Sequence, residues 1–318
     1  MTIGIGAMGP QAGLAVFRAL RAAERVGTGS IGGFAVFAAI TADGRLLRAE
    51  TQRGGTSTLF TEGEKTGPLP STEIADAPCA AVISSGPDRP APLIQFLAAD
   101  AKVGLVTGHR LPNAFSVSGL PLNQAVLAEM NAGATAADAL KTVLDENADR
   151  DVGMIALGPG CGLAARNSAF VSERPDLGSA RRVRGEACVE VLHNAIAPHE
   201  SLAALVADIA LDVIAPLNTP TGAITVNAGT PLVASDQHRI IVDGDCVVQC
   251  IETDAHYLLS GRWNCAALYL GAPIIMDGCI IGHTIAEPNV VVEEGAVVTL
   301  SGKQQFSIPF SAPAREKK

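Results

Sequence analysis

Apolar and polar residues change period several times along the chain, and each change marks a candidate element. A short glycine-rich apolar stretch, Thr2–Pro10, opens it as a strand. Residues 12–26 then place Val16, Ala19, Leu20 and Ala23 on one helical face, with Arg18, Arg21 and Arg25 opposite. Gly27 and Gly29 end that helix. The apolar runs Phe34–Ile40 and Leu46–Glu50 flank Asp43-Gly44 and read as a β-hairpin. Residues 53–78, rich in Gly, Thr, Pro and Glu, read as an exposed excursion. Strands at 80–84 and 103–107 follow, with a short helix around 93–99 between them.

Pro121 opens a further helix that Gly133 closes, and Thr135 caps the next, which turns Leu140, Val143 and Leu144 to one side. A second hairpin spans Val152–Leu157, the turn Gly158–Gly162 and Leu163–Val171. Helix, strand, turn, strand thus occurs twice, over 12–50 and 135–171, as a weak internal repeat. Helices over antiparallel hairpins are what a layered αββα sandwich needs. Beyond it the pattern predicts a strand over 185–197, a helix over 199–215 and many short strands, including 223–226, 239–242, 246–251 and 266–270. From 273 to 300, Ile274, Ile280, Ala286, Val292 and Val298 have hexad spacing like that of left-handed β-helices. The turns are too few to stack as a solenoid, so antiparallel strands are expected. The polar tail Ser311–Lys318 is expected to fray. The expected class is α+β, with a core over residues 1–185 and a helix-plus-strand region over 186–318 packed on or extending it.

Composition narrows this picture. The 318 residues are 48% hydrophobic but only 4% aromatic, so the core is built from Ala, Val, Ile and Leu. Charged residues make up 17%, which suits a compact, homo-oligomeric body. The net charge of −9 and the lack of a basic stripe argue against nucleic acid as a partner. No apolar run reaches the about 18 residues that suggest a membrane helix, and no secretory signal pattern is present. Seven scattered cysteines without a CxxC pair read as reduced thiols, and the cytoplasm is the expected compartment.

Candidate chemistry begins at Thr2. Methionine aminopeptidase would accept a threonine in second place, and removal of Met1 would put a hydroxyl and a free α-amine on one residue. That amine, of ordinary pKa near 7.7–8.0, is a base for its own hydroxyl. Thr2-Ile3-Gly4-Ile5-Gly6-Ala7 resembles the start of threonine N-terminal-nucleophile (Ntn) hydrolases, which often begin Thr-(Ile/Val)-Gly-x-x-Ala. The stretch from Asn113 to Met130, with the helix and strand after it, is similar to uncharacterised Ntn-like families beginning Met-Thr. The resemblance covers about the first 170 residues and implies an αββα fold and hydrolysis of a small-molecule amide. In this reading Thr2 attacks, Asn167 or a backbone N–H holds the oxyanion, and Arg53 or Arg166 grips an anionic substrate. Thr56 and His109 sit in polar loop clusters that would line the pocket.

Other readings compete. A catalytically silent Ntn-like binding or assembly protein would keep Met1. A cysteine enzyme would use Cys161, set between glycines in a tight turn. Gly55-Thr56 and Gly229-Thr230 lack the Ile/Val-Gly sequence expected after an internal processing site. Gly4, Gly6 and Gly9 match G-x-G-x-x-G, but no acidic strand end follows about 20 residues on, so close helix–sheet packing accounts for them and no dinucleotide is expected. The six histidines are dispersed and form no metal motif; no cofactor is expected.

Overall fold

The computed structural model describes residues 1–312. The chain mixes helices and strands and forms two compact units, Met1–Pro216 and a second beginning at Leu217. The boundary expected at 185/186 falls inside a hairpin of the first unit. Ser311, the first residue of the tail expected to fray, still ends the strand Gln305–Ser311; residues 313–318 lie outside the described residues.

The first unit starts with β1 (Thr2–Met8), α1 (Ala12–Val26), β2 (Ala35–Ile40) and β3 (Leu46–Thr51). A small hairpin, β4 (Thr61–Glu62) and β5 (Lys65–Thr66), precedes α2 (Thr72–Ala75) and β6 (Cys79–Ser85). Then come β7 (Ala98–Asp100), β8 (Gly104–Arg110), α3 (Leu122–Asn131) and α4 (Ala136–Glu146). The unit ends with β9 (Val152–Gly158), β10 (Gly162–Asn167), α5 (Ala169–Ser172), β11 (Leu177–Arg184), β12 (Ala187–Asn194) and α6 (His199–Ile214).

Two antiparallel sheets result, one in the order β11-β12-β1-β6-β2-β3 and one in the order β10-β9-β8-β7. Successive strand residues point to opposite faces, so each strand serves two cores. Ile3, Ile5 and Ala7 of β1 pack with Phe17 and Leu20 of α1 and Val206 of α6. The opposite face of that sheet contributes Val36, Ile83 and Leu192 to a second core, shared with Leu105, Ile155 and Leu157 of the smaller sheet. Val106 and Met154, on the smaller sheet's outer face, pack under Val126 of α3 and Leu140 of α4.

Gly4 and Gly6 answer to this stacking rather than to helix–sheet packing, whereas a Cβ on Gly9 would run into Ile214 of α6. Gly4 and Gly6 face the smaller sheet, and a Cβ on Gly4 would stand 2.5 Å from the Gly108 carbonyl oxygen. Only glycine lets two backbones approach so closely.

Residues 53–78 are exposed along much of their length, as expected, but they are anchored at Leu59 and Phe60. Phe60 is buried between Phe17 and Phe37, with ring centroids 5.5 Å from each. The expected helix around 93–99 is a single 3₁₀ turn, Leu93–Phe96, followed by β7.

The second unit has a seven-stranded and a three-stranded sheet around one core that includes Ile240, Ile274, Val292 and Phe306. Pro273–Met276 pairs antiparallel with Cys279–Thr284, and Asn289–Glu293 with Ala296–Thr299, as ordinary hairpins. Ile280, one of the hexad positions, is exposed. The strand expected at 266–270 lies earlier, at Arg262–Ala266.

Candidate functional site

Strand register brings two rows of side chains face to face at one end of the stacked sheets. Thr2 pairs with Asn194 of β12 on one side and with Ser85 of β6 on the other. Directly opposed strand residues share a face, so all three lie on the side of Gly4, toward the smaller sheet. From that sheet His109, Gly153 and Asn167 form the answering row.

His109 is fully buried and links the rows. Its Nε2 lies 2.8 Å from Asn167 Oδ1, and its Nδ1 lies 3.4 Å from Asn194 Oδ1. Burial lowers the ring's pKa despite these contacts, so the ring is neutral and carries one proton. That proton belongs on Nε2, at the shorter contact. Asn194 Nδ2 has no partner; turning the amide over lets it donate to the unprotonated Nδ1. Gly153 makes the His109–Asn167 bond possible, since a Cβ there would stand 2.0 Å from Asn167 Oδ1.

Thr2 is 6% exposed beneath Met1. Ser85 Oγ donates to the Met1 carbonyl at 2.6 Å, and Met1 Sδ accepts from the Ser30 N–H at 3.0 Å. The terminal amine is held below its ordinary value of 8.0, first by burial and then by Arg110, Arg89 and Arg174, with Asp176 opposing. Two of these arginines are neutralised. Arg110 Nε donates to Asp151 at 2.8 Å, and Arg174 pairs with Asp176 at 2.6 Å. Arg89 donates to Ser85 Oγ.

A cleft of about 720 Å³ opens beside β10, lined by Asp145, Arg166, Asn167, Arg181, Glu190 and Leu192 among others. It reaches the paired rows at Asn167 and at Leu192, one same-face step from Asn194; Thr2 is not in its wall. Glu190 is buried there, accepts a bond from Arg181 at 2.6 Å, and has its pKa raised by burial.

The residues singled out from sequence therefore divide. Thr2, Asn167 and His109 lie at the same end of the stacked sheets, on the faces turned toward each other. Arg53 does not join them: it is 72% exposed and paired with Asp88 at 2.5 Å. Arg166 points to the outer face, where it pairs with Asp145 at 2.5 Å. Thr56 gives its N–H, at 3.0 Å, and its hydroxyl to Glu24. Cys161 Sγ lies 3.9 Å from the Val103 carbonyl oxygen. Ser85, Arg89 and Asn194 went unremarked in the sequence, where their only signal is a place at or just beyond a strand end. Among the described residues no cluster of three or more His, Cys, Asp or Glu is placed to hold a metal ion, and no helix is long and apolar enough to cross a membrane.

Residues 2–223 match the family described as a domain of unknown function, DUF6963, and the chain belongs to that family. Residues 229–305 match a second such description, DUF7259, wholly within the second unit. No curated protein matches the chain.

Proposed function

We propose that the first unit is an Ntn-type hydrolase that cleaves the C–N bond of a small-molecule amide, with Thr2 exposed by removal of Met1. The observation carrying this reading is the placement of Thr2 at the start of a central strand, between Ser85 and Asn194 and opposite His109–Asn167. Helices outside two stacked sheets are the layering that Ntn hydrolases use. Removing Met1 also removes the carbonyl that Ser85 Oγ now serves, which leaves that hydroxyl beside the new Thr2 amine.

Thr2 Oγ attacks the amide carbonyl while the Thr2 amine takes its proton. The oxyanion receives N–H bonds from the Asn167 side chain or the nearby backbone. Collapse breaks the C–N bond, the amine returns the proton to the departing nitrogen, and water then cleaves the acyl ester. The Met1 amine at this end is held below its ordinary value first by burial and then by Arg110, Arg89 and Arg174, and the same surroundings would act on a Thr2 amine. A panel of amides, offered to protein whose amino terminus is verified by intact mass, tests this. Thr2→Ser should keep turnover and Thr2→Ala should abolish it; turnover by Thr2→Ala sinks the proposal.

The two contacts to Met1 favour a second reading, a silent Ntn-like binding or assembly protein that retains its methionine. Homogeneous protein that keeps Met1 and turns over no amide in the panel supports that alternative.

A further inference from the structure

We propose that Arg89 is the anion grip of the candidate site, and that the amide cleaved there carries a carboxylate within a few bonds of its scissile carbonyl. This rests on the reading of Thr2 as nucleophile and adds the substrate's charge and the residue that reads it. Arg53 and Arg166 were the grips expected from sequence, and Arg110 and Arg174 act on the amino terminus. Arg53, Arg110, Arg166 and Arg174 each have a carboxylate partner: Asp88, Asp151, Asp145 and Asp176. Arg89 has none among the described residues, although it is one of the charges felt at the amino terminus.

Its position is fixed from several sides. The Gln52 side chain clamps the Arg89 main chain, donating to its carbonyl at 2.7 Å and accepting from its N–H at 3.0 Å. The guanidinium carbon sits 5.9 Å from the centroid of the Phe34 ring, a cation–π placement. One N–H is spent on Ser85 Oγ, which itself reaches the Met1 carbonyl. A guanidinium has five N–H donors in a planar fork that matches a carboxylate. An arginine held in place, half-buried and without a counter-ion, one side chain away from the nucleophile, suits an anionic group on the substrate.

Calorimetry with succinate, on protein lacking Met1 by intact mass, tests the grip without relying on turnover. Wild type should bind, Arg89→Met should weaken binding by about tenfold or more, Arg89→Lys should restore part of it, and Arg53→Met should change nothing. A thermal melt of Arg89→Met, with Arg89→Gln as a second variant, separates lost binding from lost folding. No binding by wild type, or equal binding by a folded Arg89 variant, overturns the inference. The matched pair succinamate and succinamide separates it from the nucleophile. Arg89→Met should erase a kcat/KM preference for the anionic amide, whereas Thr2→Ala should stop both reactions and keep succinate binding. Turnover surviving Thr2→Ala removes the nucleophile alone; an unaltered preference in Arg89→Met removes the grip alone.

Discussion

His109 and Asn167 hydrogen-bond at 2.8 Å across the bare backbone of Gly153, on the strand between them. Three neighbouring strands thus supply a ring, a gap and an amide at one level, facing Asn194, Thr2 and Ser85. The bond fixes the imidazole's tautomer, and burial keeps that imidazole uncharged.

Gly153→Ala should break this arrangement, because its Cβ would lie 2.0 Å from Asn167 Oδ1 and 2.2 Å from His109 Nε2. Overpacking of this kind costs about 1–3 kcal/mol. Urea unfolding should show that loss, and the His109 Nε2–H resonance should shift. An unchanged midpoint and resonance would mean that the gap is not needed.

Phe60 should behave as a core residue although its stretch reads as a polar loop. It is packed against Phe17 and Phe37, and Phe60→Ala should cost about 3–5 kcal/mol. A change under about 0.5 kcal/mol in urea unfolding would place it outside the core.

Buried histidines should make the fold acid-sensitive. Burial pushes the pKa of His193 down to about 4, opposed only in part by the His199 main chain. Its unfolded value is about 6.5, so the unfolded chain takes up the proton first. Stability from this group is full above about 6.5 and is lost as pH falls toward 4. Glu24 and Glu190 act with the opposite sign, since burial raises their pKa values and the folded state keeps their protons more readily. The difference isolates the histidine: His193→Leu should show a shallower fall in urea midpoint between pH 7 and 5 than wild type. Equal slopes would contradict this assignment.

Arg53→Met and Arg166→Met should each change stability by no more than about 1 kcal/mol, because both ion pairs are solvated. Neither should alter amide turnover by more than about twofold if Arg89 reads the substrate's charge. A large loss in kcat/KM for either variant would return the anion grip to the position read from sequence.

Local elements were legible because each depends on its own residues. The glycine-rich strand β1, the Asp-Gly hairpin, the Thr135 cap and the helix α6 all appear where the pattern put them. Thr135 Oγ1 accepts from the Asp138 N–H, as the capping spacing implies. The strand β11 was hidden because Arg181, Arg182 and Arg184 interrupt its apolar pattern; they are satisfied by Glu190, Asp208 and Asp212. Missing that strand moved the domain boundary. Non-local neighbours were not legible either: nothing near position 2 in sequence announces Asn194 or Ser85. An arginine's partner is likewise decided by packing between distant segments, which is why Arg53 and Arg166 looked free and Arg89 went unnoticed.

The account stands on Thr2 as an acylated N-terminal residue, and mass spectrometry of the amino-terminal peptide reads this directly. After exposure to a reactive β-lactone, that peptide should begin at Thr2, lack methionine and carry one acyl group, while Thr2→Ala should carry none. An acyl group found only elsewhere, or turnover by protein that retains Met1, would contradict it.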